Sequence, residues 1–221
     1  AFCVTTTVVN KSYKVSDSTT PTSGGCAGHG VGGIDPITNS STNPSAESSL
    51  TGYSGPNGAT VALSTAQAKY GTSSVITTLP AAGSGFVGVN VATGQTVPTL
   101  LKASTTYTYS MWVYIPSGVI DIRLSAQGTG VGTTTCSSAP EATTSVKNSW
   151  TRVSCQLTTA ASGNLALYVL NLGSATAGMQ FYVDGVMLTE GTTLYNYADG
   201  TSANWAWNVT PNNSTSTGPP L

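Results

Sequence analysis

The chain has 221 residues, and only 7% are Asp, Glu, Lys or Arg, against about 25% in an average soluble domain. Its formal net charge is -1 and its seven basic residues are scattered, which excludes the basic surface that nucleic acids and polybasic membrane contacts require. No apolar run is long enough to span a bilayer, and no secretory signal pattern occurs at the first residues.

Thr, Ser, Gly, Asn and Ala replace the missing charged residues. Such a chain favours strands, because β-branched side chains fit a pleated sheet and lose rotamer freedom in a helix. The hydrophobic fraction of 39% is enough for a core, while 25 glycines and 11 prolines supply turns. The composition therefore predicts an all-β protein.

Residues 1–42 are predicted to form an N-terminal extension. Strands at residues 2–9 and around 13–15 precede a polar, glycine-rich loop that is too poor in apolar residues for a core of its own. His29, the one histidine of the chain, lies in this loop and is interpreted as an ordinary polar loop residue.

From residue 43 onward, short β-prone runs recur with turn signals between them, which is the pattern of an antiparallel β-sandwich. No stretch has a helical apolar period of useful length. The predicted strands are 59–65, 73–79, 85–92, 106–115, 119–127, 150–158, 164–172 and 179–188. The stretch 194–221 is rich in aromatic residues but does not alternate, and it is predicted to be an ordered tail packed on the sandwich.

Two of these strands alternate clearly between a core-facing apolar set and an outward-facing set. A glycan site needs flat aromatic rings for the C–H faces of a sugar and planar polar groups for its hydroxyls. The outward-facing residues that supply these groups, predicted to share one sheet face, are Trp112, Tyr114, Asp121, Arg123 and Gln127, with Tyr168 added by strand 164–172. Alternatively, the aromatic residues lie under the extension or the tail as a secondary core, or the face contacts a neighbouring subunit.

Catalytic constellations are missing from the sequence. The single histidine lies in the extension, no Gly-x-Ser-x-Gly turn is present, and the eight acidic residues are too scattered to pair two of them across a cleft. A glycine-rich phosphate loop before a helix is also missing. We therefore expect a protein that is not an enzyme.

The four cysteines are Cys3, Cys26, Cys136 and Cys155. None forms a Cys-x-x-Cys pair, so a zinc site or dithiol redox centre is disfavoured. Two disulfides in an oxidising compartment fit the even number, and three connectivities are possible. The pairing Cys3–Cys26 and Cys136–Cys155 is preferred because each bond closes a local segment; the alternative is four buried free thiols.

Five segments, in this order, resemble carbohydrate-binding modules of the family 4 and 9 jelly-roll type. They span about residues 43–193 and are NPSAE (43–47), KYGTSSVITT (69–78), TYTYSMWVYIP (106–116), SWTRVSCQLTTAASGNLALYVLN (149–171) and FYVDGVMLTEGTT (181–193). The tail segments YADG (197–200) and AWNVTPNNSTST (206–217) resemble those that follow such modules in minor tail and other structural proteins of bacteriophages. Similar segments occur in secreted bacterial surface proteins.

The resemblance implies a two-sheet jelly roll that holds a glycan on its concave face or loop ends. It also implies a structural calcium ion, with Glu47 and Asp184 matching the family's ligand positions. Calcium takes six to eight oxygen ligands, and backbone carbonyls can complete the set. This chain departs from the family at Ala46, where a large apolar residue is common. The alternative is a pair of surface or capped carboxylates, and no other cofactor is expected.

Two functions follow from these expectations. The first is a non-catalytic structural or adhesion protein on the exterior of a virion, such as a phage tail or surface component, or of an extracellular appendage. The alternative is a freestanding glycan-binding module of a secreted multidomain protein. The expected partners are a cell-surface or polysaccharide glycan, or neighbouring subunits of an assembly. Both functions place the chain outside a cytoplasm, on a virion surface or secreted.

Overall fold

The computed structural model describes residues 4–8, 11–15, 22–23, 35–80, 87–118, 121–171 and 176–221. Its strands are β1 Val4–Val8, β2 Lys11–Val15, β3 Thr22–Ser23, β4 Ile37–Asn39, β5 Thr60–Ser64, β6 Ser74–Thr78, β7 Val87–Val97, β8 Thr106–Tyr114, β9 Ile122–Gln127, β10 Val131–Thr134, β11 Thr143–Thr144, β12 Trp150–Thr159, β13 Gly163–Asn171, β14 Gln180–Glu190, β15 Ala206–Trp207 and β16 Ser216–Gly218. Two 3₁₀ turns occur at Pro56–Gly58 and Pro140–Ala142. In these segments no helix is long and apolar enough to cross a membrane.

Two antiparallel sheets make the main body. The six-stranded sheet has the order β10-β12-β8-β14-β6-β5, and the four-stranded sheet has the order β11-β9-β13-β7. Buried side chains of both sheets form one hydrophobic cluster, which identifies the two as the layers of a sandwich. The predicted all-β antiparallel β-sandwich is therefore confirmed.

Most of the predicted strands begin and end close to their positions in the structure, whereas the strand predicted at 85–92 stops short of the end of β7 at Val97. Residues 59–65 and 150–158, for example, correspond to β5 at Thr60–Ser64 and β12 at Trp150–Thr159. The sequence pattern did not indicate β10 and β11, because these strands are short and rich in Thr and lack the apolar alternation of the other strands.

The core follows from period-two alternation. Met111 and Val113 of β8 are buried on the inner face of the six-stranded sheet, and Leu124 and Leu167 are buried on the inner face of the other sheet. Each fully buried aliphatic side chain stabilises the fold by about 1.5–3 kcal/mol before the loss of conformational entropy is counted. This apolar layer joins the two sheets.

The strands β8 and β9 follow each other in the sequence but belong to different sheets. The prediction that Trp112 and Tyr114 share one sheet face with Asp121, Arg123 and Gln127 is therefore wrong. Alternation shows which side chains of a strand face the core, but it carries no information about which sheet the strand joins. The chain crosses from one layer to the other between these two strands.

A third, small sheet has the order β15-β16-β4 and joins the segment that precedes the sandwich to the tail that follows it. In the register, Asn39 lies opposite Ser216 and Ile37 lies opposite Gly218. Residues 37–39, which sequence analysis assigned to the extension, thus pair with the tail. The tail itself contains two short strands that its lack of alternation did not indicate.

A β-bulge interrupts the pairing of β14 with β8 between Asp184 and Met187. Val183 and Val186 both reach the main core, while Met187 joins a second apolar cluster on the outer side of the sheet. Gly185 occupies the bulge with a φ of 61°. Glycine adopts this left-handed backbone conformation without steric cost, which explains its place in the bulge.

The disulfide Cys136–Cys155 is present, as predicted, with both cysteines buried. It ties the segment after β10 to the middle of β12, across a sequence separation of 19 residues. The other predicted pair, Cys3 and Cys26, lies outside the described residues, as does His29.

Candidate functional site

The outer face of the four-stranded sheet combines an aromatic ring with polar side chains. In the register of β9 and β13, Tyr168 lies opposite Ser125, and Ala166 lies opposite Gln127. Residues directly opposite in an antiparallel pair share one face of the sheet. We call this surface the groove face; its residues are Arg123, Ser125, Gln127, Asn164, Ala166, Tyr168 and Leu170.

Two adjoining hollows lie on the groove face. One, of about 480 Å³, is lined by residues 127–128, 164–166 and Tyr168. The other, of about 250 Å³, is lined by Gln127, Tyr168 and Leu170 together with residues 56–57. Because Tyr168 and Gln127 line both hollows, the two meet at these side chains, and we call the pair of adjoining hollows the groove.

The turn Pro56–Gly58 forms one wall of the groove. Ser54 and Asn90 exchange two backbone hydrogen bonds, of 3.1 and 2.8 Å, which attach the turn to β7. Asn90 lies opposite Tyr168 in the register of β7 and β13. The turn is therefore held beside the tyrosine by the sheet, and the groove is part of the folded framework.

Hydrogen bonds orient the polar side chains of the groove face. The Gln127 side-chain amide is exposed, and its Nε2 donates to Ser125 Oγ at 3.1 Å. Arg123 Nη1 donates to the Ser137 carbonyl at 3.1 Å, and Arg123 Nη2 lies 3.9 Å from a carboxylate oxygen of Asp121. Of the predicted residues, Arg123, Gln127 and Tyr168 thus share the groove face, with Asp121 at its margin.

Trp112 and Tyr114 lie on the outer face of the six-stranded sheet, on the opposite side of the molecule. The Lys69 ammonium lies 4.0 Å from the centroid of the Trp112 ring. Tyr114 contacts two other rings, with centroid distances of 5.6 Å to Trp150 and 6.0 Å to Tyr182. These side chains are half-buried or buried against neighbours of the same sheet and of the loop after β5.

The tail packs against this outer face. The Tyr197 ring stacks on Tyr70 with centroids 4.1 Å apart, and Trp205 and Ala198 join Met187 in the second apolar cluster. Arg152, which lies opposite Trp112, donates a hydrogen bond to the carbonyl of Tyr195. Trp112 itself is half-buried beside Arg152 and, among the described residues, is not a member of the second apolar cluster.

The two predicted calcium ligands are both held by backbone amides. Asp184 Oδ2 accepts hydrogen bonds from the amides of Lys69 and Tyr70 at 2.7 and 2.9 Å, and Oδ1 accepts one from Gly185 at 2.6 Å. The pKa of Asp184 is raised to about 7: desolvation is the largest cause, the three amides act in the opposite direction, and the charge of Glu47 acts in the same direction as desolvation.

Glu47 accepts hydrogen bonds from the Thr72 amide and hydroxyl through Oε2, while its Oε1 is buried without a hydrogen-bond partner. That oxygen is a possible cation ligand. Asp184 fits a cation poorly, because amide hydrogens already approach both of its oxygens. Across the described residues, no group of three or more His, Cys, Asp and Glu side chains converges as a metal site. Of the two carboxylates, Glu47 is thus the one with a buried oxygen that has no hydrogen-bond partner.

Two parts of the groove were not predicted from the sequence. The turn Pro56–Gly58 carries a turn signal in its Pro-Asn-Gly sequence, but nothing local places it beside Tyr168. Asn164 and Ala166 follow from the alternation of β13 once Tyr168 is assigned to the outer face. The residues that line the two hollows include no Asp, Glu, His or Cys.

No family model and no curated protein sequence matches the chain. Solved structures do match. The C-terminal family 22 carbohydrate-binding module of Clostridium thermocellum Xyn10B is 16% identical with a TM-score of 0.52, and the match covers 69% of this chain and 94% of that one. The CBM22-1 xylan-binding domain of Paenibacillus barcinonensis Xyn10C is 15% identical with a TM-score of 0.53, and the match covers 73% and 97% of the two chains.

A second xylan-binding domain of the same Paenibacillus protein, CBM22-2, is 17% identical with a TM-score of 0.53, and covers 67% of this chain and 98% of its own. At these identities the likeness concerns the fold alone. The expected resemblance to families 4 and 9 and to bacteriophage tail proteins is not confirmed by these matches. The chain has the β-sandwich fold that carbohydrate-binding modules also use.

Proposed function

We propose that this chain is a non-catalytic module that binds an uncharged polysaccharide in the groove over Tyr168. The observation that carries the proposal is the pair of adjoining hollows that meet at Tyr168 and Gln127. Two adjoining hollows can accommodate neighbouring sugar units of a chain. The structures of similar fold are named as carbohydrate-binding modules, which supports this class of ligand.

Recognition would rest on two contributions. The Tyr168 ring offers an apolar surface to the C–H face of one sugar, which removes apolar area from water. Gln127 and Asn164 are exposed amides that can both donate to and accept from sugar hydroxyls. No carboxylate lines the hollows, and the one guanidinium on the groove face already has Ser137 and Asp121 as neighbours. A neutral glycan fits these groups best.

Affinity electrophoresis in gels containing neutral plant and bacterial polysaccharides, xylan among them, tests the proposal. Wild-type protein should be retarded by at least one polymer, and Tyr168→Ala should migrate as it does in a gel without polymer. Loss of one aromatic sugar contact is expected to weaken binding by about 10-fold or more.

Tyr114→Ala is the matched control, because it removes a tyrosine of the other sheet that is also half-buried. It should bind as the wild type does. The opposite result, with binding lost in Tyr114→Ala and kept in Tyr168→Ala, would move the site to the six-stranded sheet. Failure of the wild type to bind any glycan of a broad array would end the proposal.

We also propose that the chain works outside a cytoplasm. The buried disulfide Cys136–Cys155 requires an oxidising environment to form and persist, which supports a secreted or extracellular location. A place on a virion or appendage remains a separate prediction, and it is tested by immunogold labelling of particles from the source organism. If the particles carry no label and the protein is found only in the secreted fraction, the prediction of a place on a virion or appendage is wrong.

A structural calcium ion also remains a prediction. The unpartnered Glu47 Oε1 supports it, and the amides that surround Asp184 argue against it. Calorimetric melting in calcium and in a chelator decides the matter. A transition temperature that is the same in both conditions would remove calcium from the description of this protein.

A further inference from the structure

The strand β5, Thr60–Ser64, is an open edge of the six-stranded sheet. It pairs with β6 over all five of its residues. In the part of the chain that the structure describes, no other strand pairs with its outer side. Thr60 and Ala62 are exposed, and Leu63 is 39% exposed although it is apolar. Such an edge presents unpaired N–H and C=O groups that can bind another strand.

This edge lacks the features that usually prevent pairing with another chain. Proteins protect edge strands with charged side chains, proline or a β-bulge. The sequence TVALS of β5 has no charge and no proline, and its register with β6 has no irregularity. The opposite edge differs, because the register of β10 shifts between Val131 and Thr133. Only one of the two edges is therefore disrupted.

We propose that two copies of this chain associate by antiparallel pairing of their β5 strands, with Ala62 of one copy opposite Ala62 of the other. The argument for a second copy as the partner is that the strand is self-complementary about Ala62. Thr60 would face Ser64 of the second copy, and Val61 would face Leu63. Since directly opposite residues share a sheet face, polar side chains meet polar ones and apolar side chains meet apolar ones.

The pairing is closed by a two-fold axis midway between the two copies of Ala62, so each copy uses the same surface and the assembly stops at two. This axis is perpendicular to the sheet, as in any antiparallel strand pair. Both groove faces therefore point to the same side of the dimer. If the groove binds a polysaccharide, as proposed above, the dimer can hold one polymer at two places and gain avidity.

Sedimentation analysis of the whole chain, without any glycan, tests the pairing. Two five-residue strands bury an interface area at the small end of the known range, below roughly 1,200 Å². The association should therefore be weak, and protein concentrations of about 10 µM to 1 mM are needed to observe it. The wild type should change from monomer to dimer over this range. Ala62→Lys and Ala62→Glu should each stay monomeric, because like charges would face each other across the axis.

An equimolar mixture of Ala62→Lys and Ala62→Glu should form dimers again, because opposite charges then meet at the axis. This rescue distinguishes the proposed register from any other interface. Ala161→Lys, at an exposed alanine between β12 and β13, is the control and should dimerise as the wild type does. Leu63→Thr is a second, uncharged variant that should weaken the dimer, and far-ultraviolet circular dichroism verifies that each variant is folded.

A wild type that stays monomeric up to about 1 mM would overturn the proposal. So would lysine and glutamate variants that dimerise as strongly as the wild type, or a mixture of the two that stays monomeric. None of these outcomes depends on glycan binding. They therefore leave the proposed groove function to its own test.

Discussion

Asn39 donates a hydrogen bond from its side-chain Nδ2 to the carbonyl of Val186, 147 residues later in the sequence, at 2.9 Å. The same nitrogen donates to the Ala198 carbonyl at 3.3 Å. The side-chain oxygen of Asn39, Oδ1, accepts hydrogen bonds from the backbone amides of Ser41 and Leu188, at 3.1 Å each. Asn39 is fully buried. One amide thus connects β4, the bulged strand β14 and the tail.

Asn39→Ala should lower the free energy of unfolding by about 3 kcal/mol, because it leaves buried backbone groups of three segments without partners. Urea denaturation measures the change. Asn208→Ala is the control: this asparagine also hydrogen-bonds within the tail, to Thr215 and Thr217, but it is exposed, and its loss should cost less than about 1 kcal/mol. Equal losses in both variants would contradict a central role for Asn39.

Gly185→Ala should destabilise the fold more than Gly178→Ala does. Both glycines have positive φ, of 61° and 79°, so alanine is strained at either position. A Cβ on Gly185 would also lie 2.7 Å from the Tyr70 ring, whereas a Cβ on Gly178 would meet nothing within 4 Å. We expect a difference of about 1–3 kcal/mol from this overpacking, measured by thermal unfolding of the two variants.

Reduction of the disulfide Cys136–Cys155 should destabilise the protein. Closing a loop of this length is worth about 3 kcal/mol on the chain-entropy model. In urea denaturation, the double variant Cys136→Ala/Cys155→Ala should have a free energy of unfolding lower than that of the oxidised wild type by this amount. Adding a reductant should not lower it further. If reduction destabilises that variant as much as the wild type, the loss comes from a bond other than Cys136–Cys155.

The Asp184 carboxyl should make the protein less stable as the pH rises. Its folded-state pKa of about 7 lies above the ordinary value of 3.8, so between these pH values the folded state holds a proton that the unfolded state has released. The free energy of unfolding should therefore fall between about pH 4 and pH 7, by about 2–4 kcal/mol from this group, and change little above pH 7.

The difference between the wild type and Asp184→Asn isolates this contribution from that of the other carboxyl groups. Urea denaturation should show a smaller advantage of the wild type over the variant at pH 7.5 than at pH 4.5. An advantage that grows with pH would mean that the amides of Lys69, Tyr70 and Gly185 outweigh desolvation and lower the pKa of Asp184.

Gln127→Ala should weaken the proposed glycan binding by about 5- to 10-fold, which corresponds to one hydrogen bond of about 1 kcal/mol. Titration calorimetry with a polymer found in the electrophoretic screen measures the change. Gln156→Ala, at an amide on the six-stranded sheet, is the control and should leave the affinity unchanged. Equal weakening by both substitutions would show that the effect is not specific to the groove.

The sequence by itself determined the longer strands of the sandwich and which of their side chains face the core. Residues 106–115 alternate so regularly that β8 was located to within about a residue, and the core residues Met111 and Val113 followed from the same alternation. The predicted strand 150–158 matches β12 equally closely. Tyr168 was assigned to an outward face for the same reason. These properties are local, because the direction of a side chain depends on its own strand.

Only the tertiary structure decided which strands are neighbours. Trp112 and Arg123 occur on successive strands with similar alternation, yet they lie on opposite outer faces of the sandwich. The groove also depends on long-range strand pairing. The turn Pro56–Gly58 lies beside Tyr168 because β7 pairs with β13 and because Ser54 and Asn90 exchange two backbone hydrogen bonds. Packing of the whole core determines which strands pair. The period-two alternation of a single strand does not indicate which strands are its neighbours.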